Sequence, residues 1–310
     1  MRILVTGVSG LLGLNLALQA ARDHQVTGVA YAHPLRGAPF ALRTCDLADA
    51  GQVAALFQEL QPEAVIHCAA MANLDDCENH PERAVQVNVD LPYWLAVEAA
   101  RSGTRLIHLS TDAVFDGQRG QYSEEDEPNP LSTYARTKLA SERRVLEANP
   151  GAFVARVNFY GWSMGGQRSL AEIFYAALAA GKPMFGFVDV FFCPLLVNYL
   201  ANLLVEIAGT RLSGLYHVFS PETLSKYEFG RSLARRFGLD EALVQPVPVA
   251  QAGFKAARSP NLIMRSDKLS RALGRSLPGQ AEAMQGFYQL WAQGHPQRLR
   301  QMAASAAAGE

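Results

Sequence analysis

The chain has 310 residues, of which 49% are hydrophobic and 18% charged, with a formal net charge of −1. That is the balance of a globular protein large enough to bury a sizeable core. It excludes a basic surface for nucleic acid and a polybasic segment for a membrane, and no apolar run reaches spanning length.

In chain order, short apolar runs alternate with helical patterns. Arg2–Thr6 reads as a strand and Leu11–Ala21 as a helix. Gln25–Ala30 is a second strand, and "FALRTCDL" carries a third. Ala50–Leu60 is helical, Ala64–Cys68 a fourth strand, and Pro81–Arg101 one long helix. Thr104–Leu109 is the fifth strand, Thr133–Ala148 a helix, and Phe153–Val157 the sixth strand. Near-continuous apolar strands separated by helices predict a parallel sheet covered on both faces, which binds ligands at the carboxyl ends of its strands.

After Gly161 the rhythm changes. Arg168–Ala180 reads as a helix, "VDVFFCPLLVNYLANLLVEIA" as a strand running into a helix, and "GLYHVFS" as another strand. Ser225–Phe237 and Gly279–Trp291 are further helices, and "QMAASAAAGE" a frayed tail. The expected architecture is α/β: a Rossmann-type doubly wound parallel sheet with a smaller C-terminal substrate-binding lobe. Residues 1–160 form the dinucleotide-binding domain, joined by strands that return between about 186 and 220. Residues 161–310 form most of the smaller lobe.

The stretch "TGVSGLLG" follows the first strand and opens the first helix. Gly7, Gly10 and Gly13 allow a tight turn, close approach of backbone to a pyrophosphate and close helix–sheet packing. With Ser9, Leu11 and Leu12 they form a candidate dinucleotide loop. A sheet that selects NAD places an acid near the end of its second strand. Here "VTGVAYAHPLRG" has none, and His33 and Arg36 follow, so NADP(H) is expected over NAD(H).

The four cysteines, Cys45, Cys68, Cys77 and Cys193, lack CxxC spacing and read as reduced cytosolic thiols, which predicts a cytoplasmic protein. "HCAAMANLDDCENH" is rich in metal-ligand types but lacks paired zinc spacings. It reads as a strand end followed by a polar loop, and no metal is expected.

The fifth strand runs into "LIHLSTDAVFDG", which brings Ser110, Thr111 and Asp112 to the carboxyl edge of the sheet. The next helix carries "STYARTKLASE", with Tyr134 and Lys138 one turn apart on one face. A strand-end hydroxyl, then Tyr-x-x-x-Lys, behind an N-terminal glycine loop, resembles the extended short-chain dehydrogenase/reductase family over nearly the whole chain. "STDAVFDG", "NPLSTYARTKLASE", "GLYHVFSPETLSKYEFG" and "SPNLIMRSDKLSRALG" are most similar to its dTDP-4-dehydrorhamnose reductase branch.

The resemblance implies a nucleotide-linked 4-keto-6-deoxy sugar as substrate. It implies Thr111 as the hydroxyl that orients the substrate carbonyl, Tyr134 as the proton donor, and Lys138 as the residue that bonds the nicotinamide ribose and lowers the tyrosine pKa. It also implies Asp46, with Leu47, beside the adenine; Cys68, Ala69 and Ala70 in the loop passing the cofactor; and Asn88 supporting the active site. Asp112 and Phe159 are candidate substrate contacts. Phe159 stands where these reductases tend to carry a tryptophan, and Trp162 comes later. Arg168 and Arg258 are candidates for phosphate contacts, because guanidinium forks suit phosphate oxygens. Thr111-Asp112-Ala113 departs from the Thr-Asp-Glu of the dehydratases, so sugar dehydration is not expected. The expected state is a monomer or homodimer. The same phrases also resemble the regulatory subunit of methionine adenosyltransferase, which implies a binding role instead of catalysis; a reductase or epimerase of another sugar nucleotide is a third alternative.

Overall fold

The computed structural model describes residues 1–31, 35–252 and 259–303. The first half alternates as expected: β1 (Arg2–Thr6), α1 (Leu11–Ala20), β2 (Gln25–Ala30), β3 (Ala41–Thr44), α2 (Ala50–Leu60) and β4 (Ala64–His67). Then follow α3 (Leu74–Asn79), α4 (Pro81–Val85), α5 (Leu91–Ser102), β5 (Arg105–Thr111), α6 (Thr133–Ala148) and β6 (Phe153–Val157). The second half runs β7 (Phe159–Tyr160), α7 (Leu170–Ala179), β8 (Met184–Phe187), β9 (Phe191–Phe192), β10 (Leu195–Leu196), α8 (Val197–Ala208) and β11 (Gly214–Val218).

The central sheet has seven parallel strands in the order β11-β6-β5-β4-β1-β2-β3. Side chains alternate across it as the pleat requires. Ile3, Val5, Ile66, Ile107 and Phe153 pack on the face covered by α1 and α8. Leu4, Val65, Leu106 and Val154 pack on the other face, against Val53, Phe57, Leu95 and Val145 of α2, α5 and α6. This is a doubly wound Rossmann-type sheet. From β1 the chain winds out to β2 and β3, then returns to β4 on the other side of β1, so the crevice between the carboxyl ends of β1 and β4 is its switch point.

Apart from α8, which covers one face of the central sheet, and β11, which joins its edge, the second half forms three small sheets among the described residues. β7 pairs with β10, β8 with Val244–Val247, and β9 with both Leu224–Ser225 and Asn261–Leu262. Trp162 is buried, stacked on Phe287 with centroids 4.2 Å apart, and its Nε1 donates to the Phe287 carbonyl.

Three expectations are corrected. The helix predicted over Pro81–Arg101 is continuous but not uniform: Gln86–Asp90 forms a π-turn between α4 and α5, in which Leu91 N–H reaches back to the Gln86 carbonyl. Pro92 explains the change of pitch, since it has no N–H for the Asn88 carbonyl and its ring crowds that position. The polar loop predicted after β4 contains α3, capped by Asn73, whose side chain accepts from Asp76 N–H. The tail is not frayed from Gln301, which ends a helix over His295–Gln301; the Met302 carbonyl accepts from Arg36 N–H at 2.9 Å, and Ala303 bridges to Leu35. Residues 304–310 lie outside the described part.

Candidate active site

The loop after β1 meets the loop after β4 at the switch point. Gly7 has φ +66°, and a Cβ there would lie 2.7 Å from Ala69 Cα, so only glycine fits. A Cβ on Gly13 would run into the Gly7 carbonyl oxygen. The Gly10 N–H donates to that same oxygen at 2.9 Å, which closes the turn and leaves the start of α1 facing the crevice. A cavity of 330 Å³ opens there. Gly7, Ser9 and Gly10 form one wall, Cys68, Ala69 and Ala70 another, and Asp46 and Leu47 lie at its far end.

A second cavity of 450 Å³ continues from it, sharing Gly10, Cys68, Ala69, Ala70 and Arg168. Its walls include Leu11, Leu12 and Gly13 on one side, and Ser110, Tyr134, Lys138 and Phe159 on the other. The two together make a continuous groove across the carboxyl ends of β1, β4 and β5.

Local interactions hold α6 in this groove. The Ser132 hydroxyl caps it by accepting from Ala135 N–H. Glu78, carried by α3, accepts from the Thr133 N–H at 2.7 Å and its hydroxyl at 2.6 Å, a carboxylate at the positive end of the helix. Asn88, delivered by the π-turn, donates to the Thr137 hydroxyl at 3.0 Å and to the Met71 carbonyl at 3.0 Å, and accepts from Met71 N–H at 2.9 Å. It does not line either cavity; it ties the loop after β4 to α6.

Thr111 and Asp112 lie at the end of β5, just behind the cavity wall. The Thr111 hydroxyl donates to Asp112 Oδ1 at 3.1 Å, and Asn158 Nδ2 donates to Asp112 Oδ2 at 2.6 Å. Burial raises the Asp112 pKa, and Asn158 and the Lys226 ammonium oppose that rise. The Tyr134 hydroxyl is pushed up to about 12 by desolvation, and the Thr111 hydroxyl beside it pulls the other way. This corrects the expectation that Lys138 holds the tyrosine low: burial dominates, and the phenol stays protonated at neutral pH. Lys138 is 3% exposed, and its amine is lowered to about 8 by desolvation, with Glu142 opposing. Among the described residues, nothing takes a hydrogen bond from that amine.

Arg168 forms part of the wall of both cavities. Its backbone is fixed by Glu172, which accepts from Ser163, Arg168 and Ser169 N–H groups and caps α7 with Ser169. Arg36 stands exposed, outside both cavity walls. His33 and Arg258 lie outside the described residues. Sequence reading missed Arg83, which lines the first cavity 3.9 Å from Asp46, and Gln167 beside Arg168 in the second. Among the described residues no three His, Cys, Asp or Glu side chains converge as a metal site, and no helix is long and apolar enough to cross a membrane.

Residues 1–292 match the RmlD substrate binding domain family. The chain belongs to that family. Among curated proteins, it is 32% identical to a probable low-salt glycan biosynthesis reductase of Haloferax volcanii, over 88% of this chain and 93% of that one. It is also 32% identical to the methionine adenosyltransferase 2 subunit beta of Danio rerio, over 97% of this chain and 93% of that one. Among solved structures, a dTDP-4-dehydrorhamnose reductase from Clostridium acetobutylicum superposes with a TM-score of 0.81 at 25% identity, covering 94% of this chain and all of that one. In this RmlD-family chain, the glycine loop, the Tyr134–Lys138 pair and Thr111 therefore sit on a sheet shared with a sugar-nucleotide reductase.

Proposed function

We propose that this protein is an NADPH-dependent reductase of a nucleotide-linked 4-keto-6-deoxy sugar. The observation that carries the reading is the groove itself: a glycine-walled half that suits a pyrophosphate runs into a half where Tyr134 and an unpartnered Lys138 amine meet beside Thr111. The residues fit a nicotinamide dinucleotide, since the positions facing its path are glycines whose Cβ atoms would close the turn. When bound, that cofactor supplies the hydride. Lys138 bonds its ribose hydroxyls, and Asp46 lies at its adenine end. Thr111 holds the substrate carbonyl oxygen. Tyr134 keeps its proton at neutral pH and gives it to that oxygen as charge builds there. Phe159 and Arg168 flank the sugar nucleotide, and Asp112 holds the Thr111 hydroxyl from behind the wall. We assign residues 1–160, with the strands returning between about 186 and 220, to cofactor binding and most of 161–310 to the substrate. The reading is tested by mixing the purified protein with NADPH and such a keto-sugar nucleotide, and following absorbance at the reduced-nicotinamide band. Steady loss supports it.

A second reading is favoured by the likeness to methionine adenosyltransferase 2 subunit beta, which is 34% identical in Bos taurus over 79% of this chain. In that case the groove binds NADPH without turnover. Tight NADPH binding with no consumption of any keto-sugar nucleotide selects it.

Two results are expected of either reading. NADPH binds more tightly than NADH, because Tyr31 follows β2 where an acid would repel a 2′-phosphate, and Arg83 lies in the wall of the same cavity. Titration of both nucleotides checks this; equal affinity removes the basis for the preference. NADPH affinity is also expected to fall as pH rises through about 8. Lys138 is charged below that value and neutral above it, so the cofactor phosphates and ribose lose a cation on the alkaline side. An affinity that is flat from pH 6 to 10 would separate Lys138 from the cofactor.

A further inference from the structure

Beneath the floor of the second cavity lies a buried polar chain. Ser110, which lines the cavity, donates to Glu142 Oε1 at 2.5 Å. Arg156 grips the same carboxylate with two hydrogen bonds, Nε to Oε1 at 2.9 Å and a terminal nitrogen to Oε2 at 2.7 Å. His217, from β11, faces the other terminal nitrogen at 3.3 Å and is held by the Arg265 carbonyl at 3.1 Å. The side chains of this pair are only 3% and 4% exposed. A carboxylate removed from water to this degree needs a reason, because an apolar pair of the same shape is often no less stable.

The spacing supplies one. Tyr134, Lys138 and Glu142 follow each other at intervals of four along α6, so they share one helix face. Among the described residues, the other titratable groups near the Lys138 amine offer it little negative charge. From β4, His67 is lowered to about 3 by burial, and the Cys68 thiol is pushed up to about 12. From β5, His108 lies well below its ordinary value and bonds the Ser141 hydroxyl. Tyr134 is protonated. Asp112, held by Asn158 and Thr111, is pushed by burial toward its neutral form. Across the cavity stands Arg168, a cation, and from β6 Arg156, a second cation on the far side of Glu142. Among the described residues, the buried Glu142 carboxylate is the group that most favours a positive charge on Lys138, opposing the desolvation that lowers it.

We propose that Glu142 is a positioning residue: its carboxylate, pinned by Ser110 and Arg156 under the cavity floor, is the counter-charge that keeps Lys138 an ammonium ion. The service to the cofactor rests on the reading of the groove as a nicotinamide site; the charge relation between Glu142 and Lys138 does not. The two are separated by measuring Lys138 directly. The cofactor-free protein is treated with trace acetic anhydride from pH 6 to 10, and acetylation of the peptide carrying Lys138 is read by mass spectrometry. Only the neutral amine reacts, so the wild-type midpoint should lie near 8. In Glu142→Gln the midpoint should fall by about one pH unit or more. In Glu142→Asp, which keeps the charge, it should stay near the wild-type value. If Glu142→Gln does not fold, Glu142→Gln/Arg156→Met removes the stranded guanidinium and must still lower the midpoint. An unchanged midpoint in the folded charge-removing variant, or an equal fall in Glu142→Asp, overturns the proposal. NADPH affinity of Lys138→Met is the independent arm: no change there would overturn the cofactor reading while leaving a lowered midpoint as support for the charge relation.

Discussion

Tyr134→Phe is expected to leave the fold and NADPH affinity intact while reduction of a keto-sugar nucleotide falls by about 10²–10⁴-fold. The substitution keeps the ring against the cavity wall and deletes only the hydroxyl. Desolvation holds that hydroxyl protonated, up to about 12, so it is a proton donor throughout the neutral range. The donor acts only as charge develops on the carbonyl oxygen, so the loss should appear in kcat and kcat/KM alike, with the substrate KM little changed. Thr111→Val should lose less, since Thr111 orients the oxygen and gives it no proton. A Tyr134→Phe protein that turns over at the normal rate would sink the mechanism.

The second large effect is on stability. Arg156→Met is expected to cost about 3–5 kcal/mol, because it strips the buried Glu142 carboxylate of its ion pair and leaves Ser110 as its hydrogen-bond partner. The contrast is Arg43–Glu59, an ion pair of similar length at 2.6 Å whose side chains are 47% and 53% exposed. Arg43→Met should cost less than about 1 kcal/mol, since water and salt already screen that pair. Urea unfolding of the two variants beside the wild type checks both. Similar losses in the two would mean that burial does not set the worth of the Arg156–Glu142 pair.

Much of this was legible in the sequence because it depends on short-range rules. Gly7, Gly10 and Gly13 announced the turn at the switch point, and the alternation of Leu4 with Ile3 and Val5 announced a strand covered on both faces. The Tyr134–Lys138 spacing placed both side chains in one cavity wall. What could not be read comes from distance in the chain. Arg83 lines the first cavity beside Asp46, a residue 37 positions earlier in the chain, and no local pattern around α4 announces that meeting. Arg168 spans both cavities through a loop whose shape Glu172 imposes. The fate of the Tyr134 proton depends on burial, which spacing does not report: the sequence suggested a cation one turn away, and the fold adds desolvation that outweighs it. Glu142 is a different case. Its place four residues beyond Lys138 on α6 was visible, but its partner Arg156 lies on β6.

The edge of the central sheet is finished late. β6 pairs with β5 on one side and β11 on the other, and β11 is separated from it by the whole segment from Asn158 to Ser213. During synthesis at about 5–20 residues per second, β6 therefore waits roughly 3–11 s for its second neighbour. Through that interval an apolar strand, "FVARV", shows an open edge, and Arg156 has no His217 beside it. A nascent chain paused in this window, or a fragment cut before Gly214, exposes a template for pairing with another chain. Residues 1–157 are in this sense not a free-standing unit: the outer edge of their last strand is covered by residues that emerge after the segment carrying Arg168 has been made.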